Sequence, residues 1–403
     1  MKVIWASYYE PKAIGDGGYH RAYQVVHDLE AAVGAGQVIH AHAPPPWDTW
    51  TPWPTPTRPA PAGGPAKRAW KRLKRRIARA RSAVGRLARN PYRLAAPTPY
   101  RSTGYLTPGY LAYYEELIVN SKPAVCVLEN TRFGEVVEIN QRHKVPTVCC
   151  TQNLEAFDTA AGQAAEGWGR YSQAADFATE LDLLSKCSER LFISRVETGL
   201  VGGLGLSAHY YPYLPVGDIE ARLRTLRRQR AEQPPEAGLF LMVGSAGHGS
   251  TLAGFQWFCR QAQAHDLPEG VRVVVAGNHT EKLLPAGVSL AGLELRGWVP
   301  QPELDDLLAR ACAMLIPQQT GFGALTRLPE LACAGVPAIV SHHPLYALDP
   351  PPGLLPAADE WPAWTRALEA MRAAPPACSE EMYAAWQGRQ PRPLARVLAQ
   401  WQG

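Results

Sequence analysis

The segment Met314–Ser341, MLIPQQTGFGALTRLPELACAGVPAIVS, decides the fold. It begins with an apolar run, passes through a loop with two glycines, and continues into a helical pattern that ends at Gly335-Val336-Pro337. A second apolar run, Ala338–Ser341, follows. Because proline is tolerated in a helix only in the first turn, Pro329 predicts that the helix starts near residue 327. The segment is therefore a predicted strand, loop, helix and strand.

The loop and the start of this helix are suited to binding a nucleotide diphosphate. Gly321 and Gly323 let phosphate oxygens approach backbone N–H groups, and the N-terminus of a helix carries a partial positive charge. Arg327 can donate two hydrogen bonds to a diphosphate. Glu330, one turn later, can accept hydrogen bonds from ribose hydroxyls. These residue types at this spacing indicate a site for the phosphates and ribose of a nucleotide.

Short apolar runs alternate with helical patterns in both halves of the chain. Apolar runs of this length are typical of parallel sheets that helices cover on both faces. The predicted strands are 3–7, 38–43, 125–129, 147–150 and 191–194 in the first half, and 239–244, 271–276, 293–297, 314–317 and 338–341 in the second. We expect an α/β protein with two Rossmann-like domains whose parallel sheets face a central cleft, with ligands at the carboxyl ends of the strands.

The pattern Gly-x-Gly-x-x-x-Arg-x-x-Glu-Leu-Ala-x-x-Gly-Val-Pro at 321–337 resembles a known signature. It is similar to the donor-binding segment of retaining GT-B glycosyltransferases of the bacterial "glycosyl transferases group 1" family. The resemblance implies a GT-B fold and transfer of a sugar from a nucleotide-sugar. It further implies that Glu330 holds the nucleotide ribose. The residues that would face the donor phosphates and sugar in a catalytic role are Gly321, Gly323 and Arg327, and Phe322 and Thr326 are further implied donor-binding residues.

Shorter segments extend the resemblance over nearly the whole chain. Val243–His248 resembles the loop after the first strand of the family's donor domain, and Gly297–Pro300 resembles a Gly-x-Val segment near the nucleotide base. Gly17-Gly18 and Thr151–Glu155 resemble two loops of the acceptor domain. The implied donor-side residues are Gly244, Ser245, His248, Gly297 and Val299, and the implied acceptor-side residues are Gly17, Gly18, Asn153 and, with a catalytic role, Gln152.

Three places differ from the family's pattern. Thr320 stands where many relatives carry the first of two acidic residues, and Gln152 stands where histidine is frequent. The loop after the first donor-domain strand has Ser245 and His248 where many relatives carry an arginine and a lysine. Arg327 is therefore the expected main cation for the donor phosphates.

The resemblance also suggests the bounds and the role of each domain. We predict an acceptor-side domain over 1–215, interrupted by a Pro-rich and basic insertion at 44–101. A nucleotide-sugar-binding domain follows over 216–385. A C-terminal helix over 386–403 is expected to cross back to the first domain.

The net charge of +5 conceals one strongly basic segment. Fourteen Lys and Arg residues and no acidic residue lie between Asp48 and Glu115; removing them from the 41 leaves 27 basic residues against 36 acidic ones. Two interpretations of 67–93 stay open, a solvated helical face and a surface for an anionic membrane or a lipid-linked acceptor. No recognition motif for nucleic acid accompanies the charge, so nucleic acid is not an expected partner.

The start of the chain lacks the pattern of a signal peptide, and no apolar window approaches the roughly 18–20 residues that span a bilayer. We therefore expect a cytoplasmic protein. If 67–93 binds lipid, the protein would be peripheral at the inner face of the plasma membrane.

The expected function is transfer of a sugar, with retention of anomeric configuration, to a polysaccharide, lipid-linked or other cell-envelope acceptor. Such a reaction depends on positioning and on charge stabilisation at the leaving diphosphate. No cofactor is expected, and because the sequence has no Asp-rich metal motif, we do not expect a metal requirement. Three alternatives stay open: an inverting GT-B transferase, a non-catalytic nucleotide-binding subunit, and a nucleotide-sugar epimerase that would use Glu135, Glu155 or His248.

Overall fold

A computed structural model describes residues 1–42, 106–157, 169–285 and 287–402. The described residues form two sheets, each of six parallel strands. The first sheet contains β1 Val3–Ser7, β2 Val38–His42, β3 Val125–Leu128, β4 Thr147–Thr151, β5 Glu189–Phe192 and β6 His209–Tyr210, in the order β2-β1-β3-β4-β5-β6. The second contains β7 Glu236–Val243, β8 Arg272–Ala276, β9 Leu293–Gly297, β10 Ala311–Ile316, β11 Ala338–Ser341 and β12 Leu354–Ala357, in the order β12-β11-β10-β7-β8-β9.

Helices connect the strands of both sheets. Those before the second sheet are α1 Gly17–Val33, α2 Pro108–Ser121, α3 Gly134–Arg142, α4 Gly169–Lys186, α5 Arg195–Gly203 and α6 Gly217–Glu232. Those that follow are α7 Gly249–His265, α8 Gln301–Arg310, α9 Arg327–Ala334, α10 His342–Leu345, α11 Trp361–Ala373, α12 Glu380–Gly388 and α13 Pro393–Leu398. Residues 317–326, here called the glycine loop, join β10 to α9.

Strand β1 shows how a central strand contributes to two cores, because its side chains alternate between the faces of the sheet. In β1, Ile4 and Ala6 pack with residues of α2 and α3 on one face. Val3 and Trp5 pack with residues of α1 on the other. Burial on both faces explains why the strands are almost continuously apolar, and it leaves their ends as the places for polar chemistry.

Each of two helices near the predicted domain boundaries packs on one of the two sheets. The charged helix α6 packs on the second sheet, where Ile219, Leu223 and Leu226 are buried. Helix α13 packs on the first sheet with Leu394 and Val397 in its core.

The chain end is not the single helix predicted over 386–403. Helix α12 ends at Gly388, α13 spans only Pro393–Leu398, and a short 3₁₀ turn covers Ala399–Trp401. Pro391 and Pro393 explain the break, since proline cannot continue a helix interior.

Two edge strands were not predicted from the sequence. Strand β6 has only two residues, and β12 contains Pro356, which is tolerated at the edge of a sheet. The Pro-rich and basic insertion at 44–101, with its segment 67–93, lies outside the described residues. Within the described part of the chain, no helix is both long and apolar enough to cross a bilayer.

Candidate donor-binding cleft

Loops at the carboxyl ends of the two sheets meet around the glycine loop. A Cβ atom on Gly323 would lie 2.6 Å from the carbonyl oxygen of Gln152 and 3.2 Å from the Cβ of Asn153. A Cβ atom on Gly17 would lie 2.7 Å from Oγ1 of Thr326. The φ angle of Gly323, +73°, also favours glycine. The structure therefore brings predicted acceptor-side and donor-side residues into direct contact.

An aromatic pair closes one side of this contact. Phe322, which is 45% exposed, stacks on Phe157 with ring centroids 5.0 Å apart and planes inclined by 28°. The side-chain amide of Gln152 donates to the carbonyl of Gly18 at 3.4 Å, which ties two acceptor-side loops together. These contacts hold the glycine loop against the first sheet.

On the donor side, the glycine loop lies against the loop after β7. A Cβ atom on Gly321, whose φ is +130°, would lie 3.3 Å from Oγ of Ser250. That hydroxyl is in turn 3.0 Å from Nδ1 of the exposed His248. The nearby Ser245 hydroxyl accepts a hydrogen bond from the N–H of Gly247. Two polar loops therefore form one wall at the ends of β7 and β10.

The predicted base-binding segment lies further along the same sheet edge. The N–H of Gly277 donates to the carbonyl of Gly297 at 2.7 Å, and Gly277 also packs closely on Gly244. Val299 is half-buried, and its neighbour Trp298 is 68% exposed. Gly244 and Gly297 thus border one continuous edge formed by β7, β8 and β9.

Arg327 is a half-buried cation that has no hydrogen-bonded partner among the described residues. Its guanidinium lies beside Gly244, where Nη2 would be 3.2 Å from an added Cβ. It forms no hydrogen bond or salt bridge with any described residue. Burial lowers the pKa of Arg327, and the charge of Glu330 offsets this only in part. Because an unpaired, partly desolvated charge costs free energy, the site favours an anionic ligand.

Glu330 is engaged by residues outside the donor-side segment. Its Oε1 is 2.6 Å from Nδ1 of His20 in α1 and accepts a hydrogen bond from the Tyr213 hydroxyl at 2.9 Å. Burial acts to raise the pKa of Glu330, but His20, Tyr213 and the charge of Arg222 hold it below its usual range. Both recorded bonds use Oε1, so a ribose would have to share that oxygen or use Oε2.

The ion pair between His20 and Glu330 links a helix on the first sheet, α1, to a helix on the second, α9. Burial acts to lower the pKa of His20, but the charge and hydrogen bond of Glu330 outweigh it and raise the pKa above its ordinary value. Both shifts favour the ion pair, and both side chains are largely buried. The contact therefore holds α1 against α9.

A second carboxylate, Glu197, bridges the sheets directly. Its Oε1 accepts hydrogen bonds from the N–H of Leu154 at 3.1 Å and of Gly323 at 3.0 Å. Burial raises the pKa of Glu197 to about 7, with the charges of Glu180 and Glu155 adding to the rise. The Gly323 amide, which the sequence assigned to the donor phosphates, is therefore occupied by Glu197.

Glu180 and Glu155 are bound to their own surroundings. Glu180 accepts hydrogen bonds from the N–H groups of Glu155 and Ala156 at 2.7 and 2.9 Å, and burial raises its pKa to about 7. Glu155 forms a 2.6 Å salt bridge with Arg132. Of the three residues that an epimerase would use, Glu155 is paired with Arg132, and His248 lies within hydrogen-bonding distance of the Ser250 hydroxyl.

The cleft beside the glycine loop has a cavity volume of about 90 Å³. Its lining includes Glu197 from the first sheet and Gln318, Gly321, Phe322 and His343 from the second. His343 Nε2 lies 2.8 Å from the carbonyl oxygen of Gly321. Among the described side chains, no group of three or more His, Cys, Asp and Glu residues is arranged to hold a metal ion.

The fold of this chain is that of solved GT-B glycosyltransferases. The structure of HepE from Anabaena with UDP and glucose matches with a TM-score of 0.56 and 11% identity, over 99% of this chain and 100% of that one. HepE with UDP-glucose gives 0.53 and 9%, over 99% and 97%. Sucrose-phosphate synthase from Thermosynechococcus elongatus gives 0.50 and 12%, over 73% and 76%. No protein-family model and no curated protein matches the sequence.

At these identities the likeness establishes the fold alone. The predicted α/β architecture, GT-B with two Rossmann-like units and parallel sheets, is confirmed.

Three residues of this site were not predicted from the sequence: His20, Glu197 and Tyr213. His20 lies in the first turn of the helix that begins at Gly17, and this closeness to Gly17-Gly18 was its only local signal. Tyr213 lies between β6 and α6, in a segment with no motif. Pairing of side chains far apart in the chain leaves no trace in a single sequence.

Proposed function

We propose that this protein is a glycosyltransferase that moves a sugar from a nucleotide-sugar donor to an acceptor hydroxyl with retention of anomeric configuration. The unpaired guanidinium of Arg327 beside Gly244 and the glycine loop carries the proposal. The cation lies where two parallel sheets present their carboxyl ends, which is where nucleotides bind in such folds. The GT-B fold, and UDP and UDP-glucose bound by HepE, support the same conclusion.

In this mechanism the protein positions the donor and stabilises the leaving diphosphate. Arg327 donates hydrogen bonds to the diphosphate, while the hydroxyls of Ser245 and Ser250 and the amides near Gly321 complete the phosphate site. A diphosphate oxygen takes the acceptor proton as the sugar is transferred. The contacts of the glycine loop with the first sheet exclude water and so protect the donor from hydrolysis.

The acceptor is proposed to be a glycan or lipid-linked molecule that enters from the side of Gly17, Gly18 and Asn153. The basic segment 67–93 is proposed to attract an anionic membrane surface, where such acceptors are held. No metal is required in this scheme because Arg327 supplies the positive charge at the leaving group.

The test is thermal stabilisation by UDP-, GDP-, ADP- and dTDP-sugars. At about 100 times its dissociation constant, a ligand stabilises the folded protein by about 2.7 kcal/mol. One nucleotide class should stabilise the wild type and should fail with Arg327→Ala. Arg310→Ala is the matched control, since Arg310 ends α8 just before β10, at the opposite end of that strand from the glycine loop, and pairs with Glu236 and Asp306.

Transfer itself is measured by release of the nucleoside diphosphate with and without acceptor mixtures. Acceptor-dependent release with a retained anomeric configuration is the expected result. Conversion of the nucleotide-sugar without any acceptor would indicate an epimerase, and binding without turnover would indicate a non-catalytic subunit. No stabilisation by any nucleotide would overturn the donor site.

A further inference from the structure

Glu197 is a buried carboxylate held between the two sheets. It lies in the first turn of α5 and is 3% exposed. Its Oε1 accepts hydrogen bonds from Leu154 N–H on the acceptor side and from Gly323 N–H in the glycine loop. These two bonds fix the carboxyl group at the wall of the cleft, which Glu197 lines together with Gly321 and Phe322.

The second oxygen of Glu197 lacks a partner. Oε2 is buried and accepts no hydrogen bond from the described part of the chain. No described Lys or Arg forms a salt bridge with Glu197, and its charged neighbours are Glu180 and Glu155. A buried carboxylate oxygen without a donor costs free energy. A ligand that brings a hydrogen-bond donor into the cleft would remove that cost.

Above its raised pKa of about 7, Glu197 is an anion, and this charge determines which part of a nucleotide-sugar lies beside it. Anions a few ångströms apart repel each other strongly in a partly buried site. A diphosphate therefore does not take the Gly323 amide that Glu197 already holds. The unpaired Arg327 beside Gly244 is the position for the diphosphate, and the neutral sugar is the part that tolerates the carboxylate.

We propose that Glu197 is the sugar-binding carboxylate of the cleft, whose Oε2 accepts a hydrogen bond from a hydroxyl group of the donor hexose. Oε1 meanwhile holds the acceptor-side loop and the glycine loop together, so the sugar contact and the closed cleft depend on one side chain. This inference rests on the proposed function, because it requires a nucleotide-sugar in the cleft. Carboxylates suit this role since they accept strong hydrogen bonds from hydroxyl groups.

The experiment compares binding of nucleotide-sugars with binding of free nucleotides. Calorimetry is run well above pH 7, where Glu197 is ionised, with UDP-, GDP-, ADP- and dTDP-glucose and the four free diphosphates. It gives a sugar ratio, the Kd of the diphosphate divided by the Kd of its glucose derivative. Glu197→Gln should lower this ratio about tenfold, because a hydrogen bond to a charged acceptor becomes one to a neutral group. Its affinity for the free diphosphate should stay that of the wild type.

Glu180→Gln is the matched control. Glu180 is equally buried, and its pKa is likewise raised to about 7, but it bonds local backbone N–H groups and does not line the cleft. Its variant should keep the wild-type sugar ratio. An equal fall in both variants would assign the effect to the fold and overturn the inference, as would an unchanged ratio in Glu197→Gln.

A second measurement needs no stable variant. Among the 2-, 3-, 4- and 6-deoxy forms of the glucose nucleotide that binds best, one should bind the wild type about 10- to 100-fold more weakly, because Oε2 loses its donor. In Glu197→Gln the same deoxy form should lose less affinity relative to the full sugar. The difference between the two losses measures the coupling between Glu197 and that hydroxyl group directly. Equal binding of all four forms to the wild type would overturn the inference while leaving the proposed function intact. Failure of every nucleotide to bind the wild type would overturn the proposed function itself.

Discussion

Replacing Glu129 by glutamine should stabilise the folded protein at neutral and alkaline pH. Glu129 directly follows β3, is 1% exposed, and its burial raises its pKa to about 8, with Ser7, Arg21 and Trp5 lowering it only in part. The unfolded chain releases this proton near pH 4.5, whereas the folded protein holds it to about pH 8. The folded state therefore binds more protons between these values, and stability falls as the pH rises through them.

The size of the effect follows from the two pKa values. Each pH unit between them changes the free energy of unfolding by about 1.36 kcal/mol. Wild type should therefore lose about 3 kcal/mol between pH 4.5 and pH 7, and about 4 kcal/mol by pH 8. Glutamine has nearly the same shape and no charge, so Glu129→Gln should match the wild type near pH 4.5 and exceed it increasingly up to pH 8.

Urea unfolding followed by circular dichroism from pH 5 to pH 9 measures this difference. Glu116→Gln, at an exposed position of α2, is the control and should follow the wild type at every pH. A Glu129→Gln protein whose advantage does not grow with pH, or which is less stable at pH 8, would refute the reasoning. Such a result would mean that the buried carboxyl is ionised and paired in the folded protein.

Three further changes test the contacts between the sheets and the proposed chemistry. Gly323→Ala should destabilise the protein by roughly 1–3 kcal/mol in thermal unfolding, because φ is +73° and a Cβ would lie 2.6 Å from the Gln152 carbonyl oxygen; an unchanged Tm would contradict this contact. His20 has a raised pKa and Glu330 a lowered one, so their stabilisation should be full between about pH 4.5 and 6.5 and be lost above the raised pKa of His20 and below the lowered pKa of Glu330. His20→Phe should flatten that profile in Tm-against-pH measurements, and a profile of wild-type shape would argue against the pair. The rate of the proposed sugar transfer should be unchanged by EDTA. Loss of turnover that Mg²⁺ or Mn²⁺ restores would show that Arg327 does not suffice at the leaving diphosphate.

Local sequence patterns were enough to predict much of the fold. Strand β11 was predicted with its observed bounds, and the start of α9 near residue 327 followed from Pro329. These elements are readable because burial on both faces requires short apolar runs, and because Pro and Gly restrict the backbone locally. The edge strand β12 was missed because an edge needs less apolar sequence and tolerates proline.

The side-chain contacts of the site could not be predicted from local sequence patterns. Ser194-x-x-Glu197 is a capping-box pattern, which predicts that Glu197 bonds the backbone at the start of its own helix. Ser194 does accept the N–H of Glu197 at 3.4 Å. The carboxylate, however, bonds the amides of Leu154 and Gly323, which are distant along the chain. Only the meeting of the two sheets could select those partners.

The sequence by itself determined the alternating α/β pattern, the glycine loop and the spacing that places Arg327 and Glu330 at the start of α9. Each of these depends on interactions within a few residues, which local chemistry dictates. Tertiary structure alone decided that Arg327 stays unpaired, that Glu330 is held by His20 and Tyr213, and that Glu197 occupies the amide of Gly323. Those outcomes depend on which groups two separately formed sheets bring within hydrogen-bonding distance, and packing in three dimensions sets that distance.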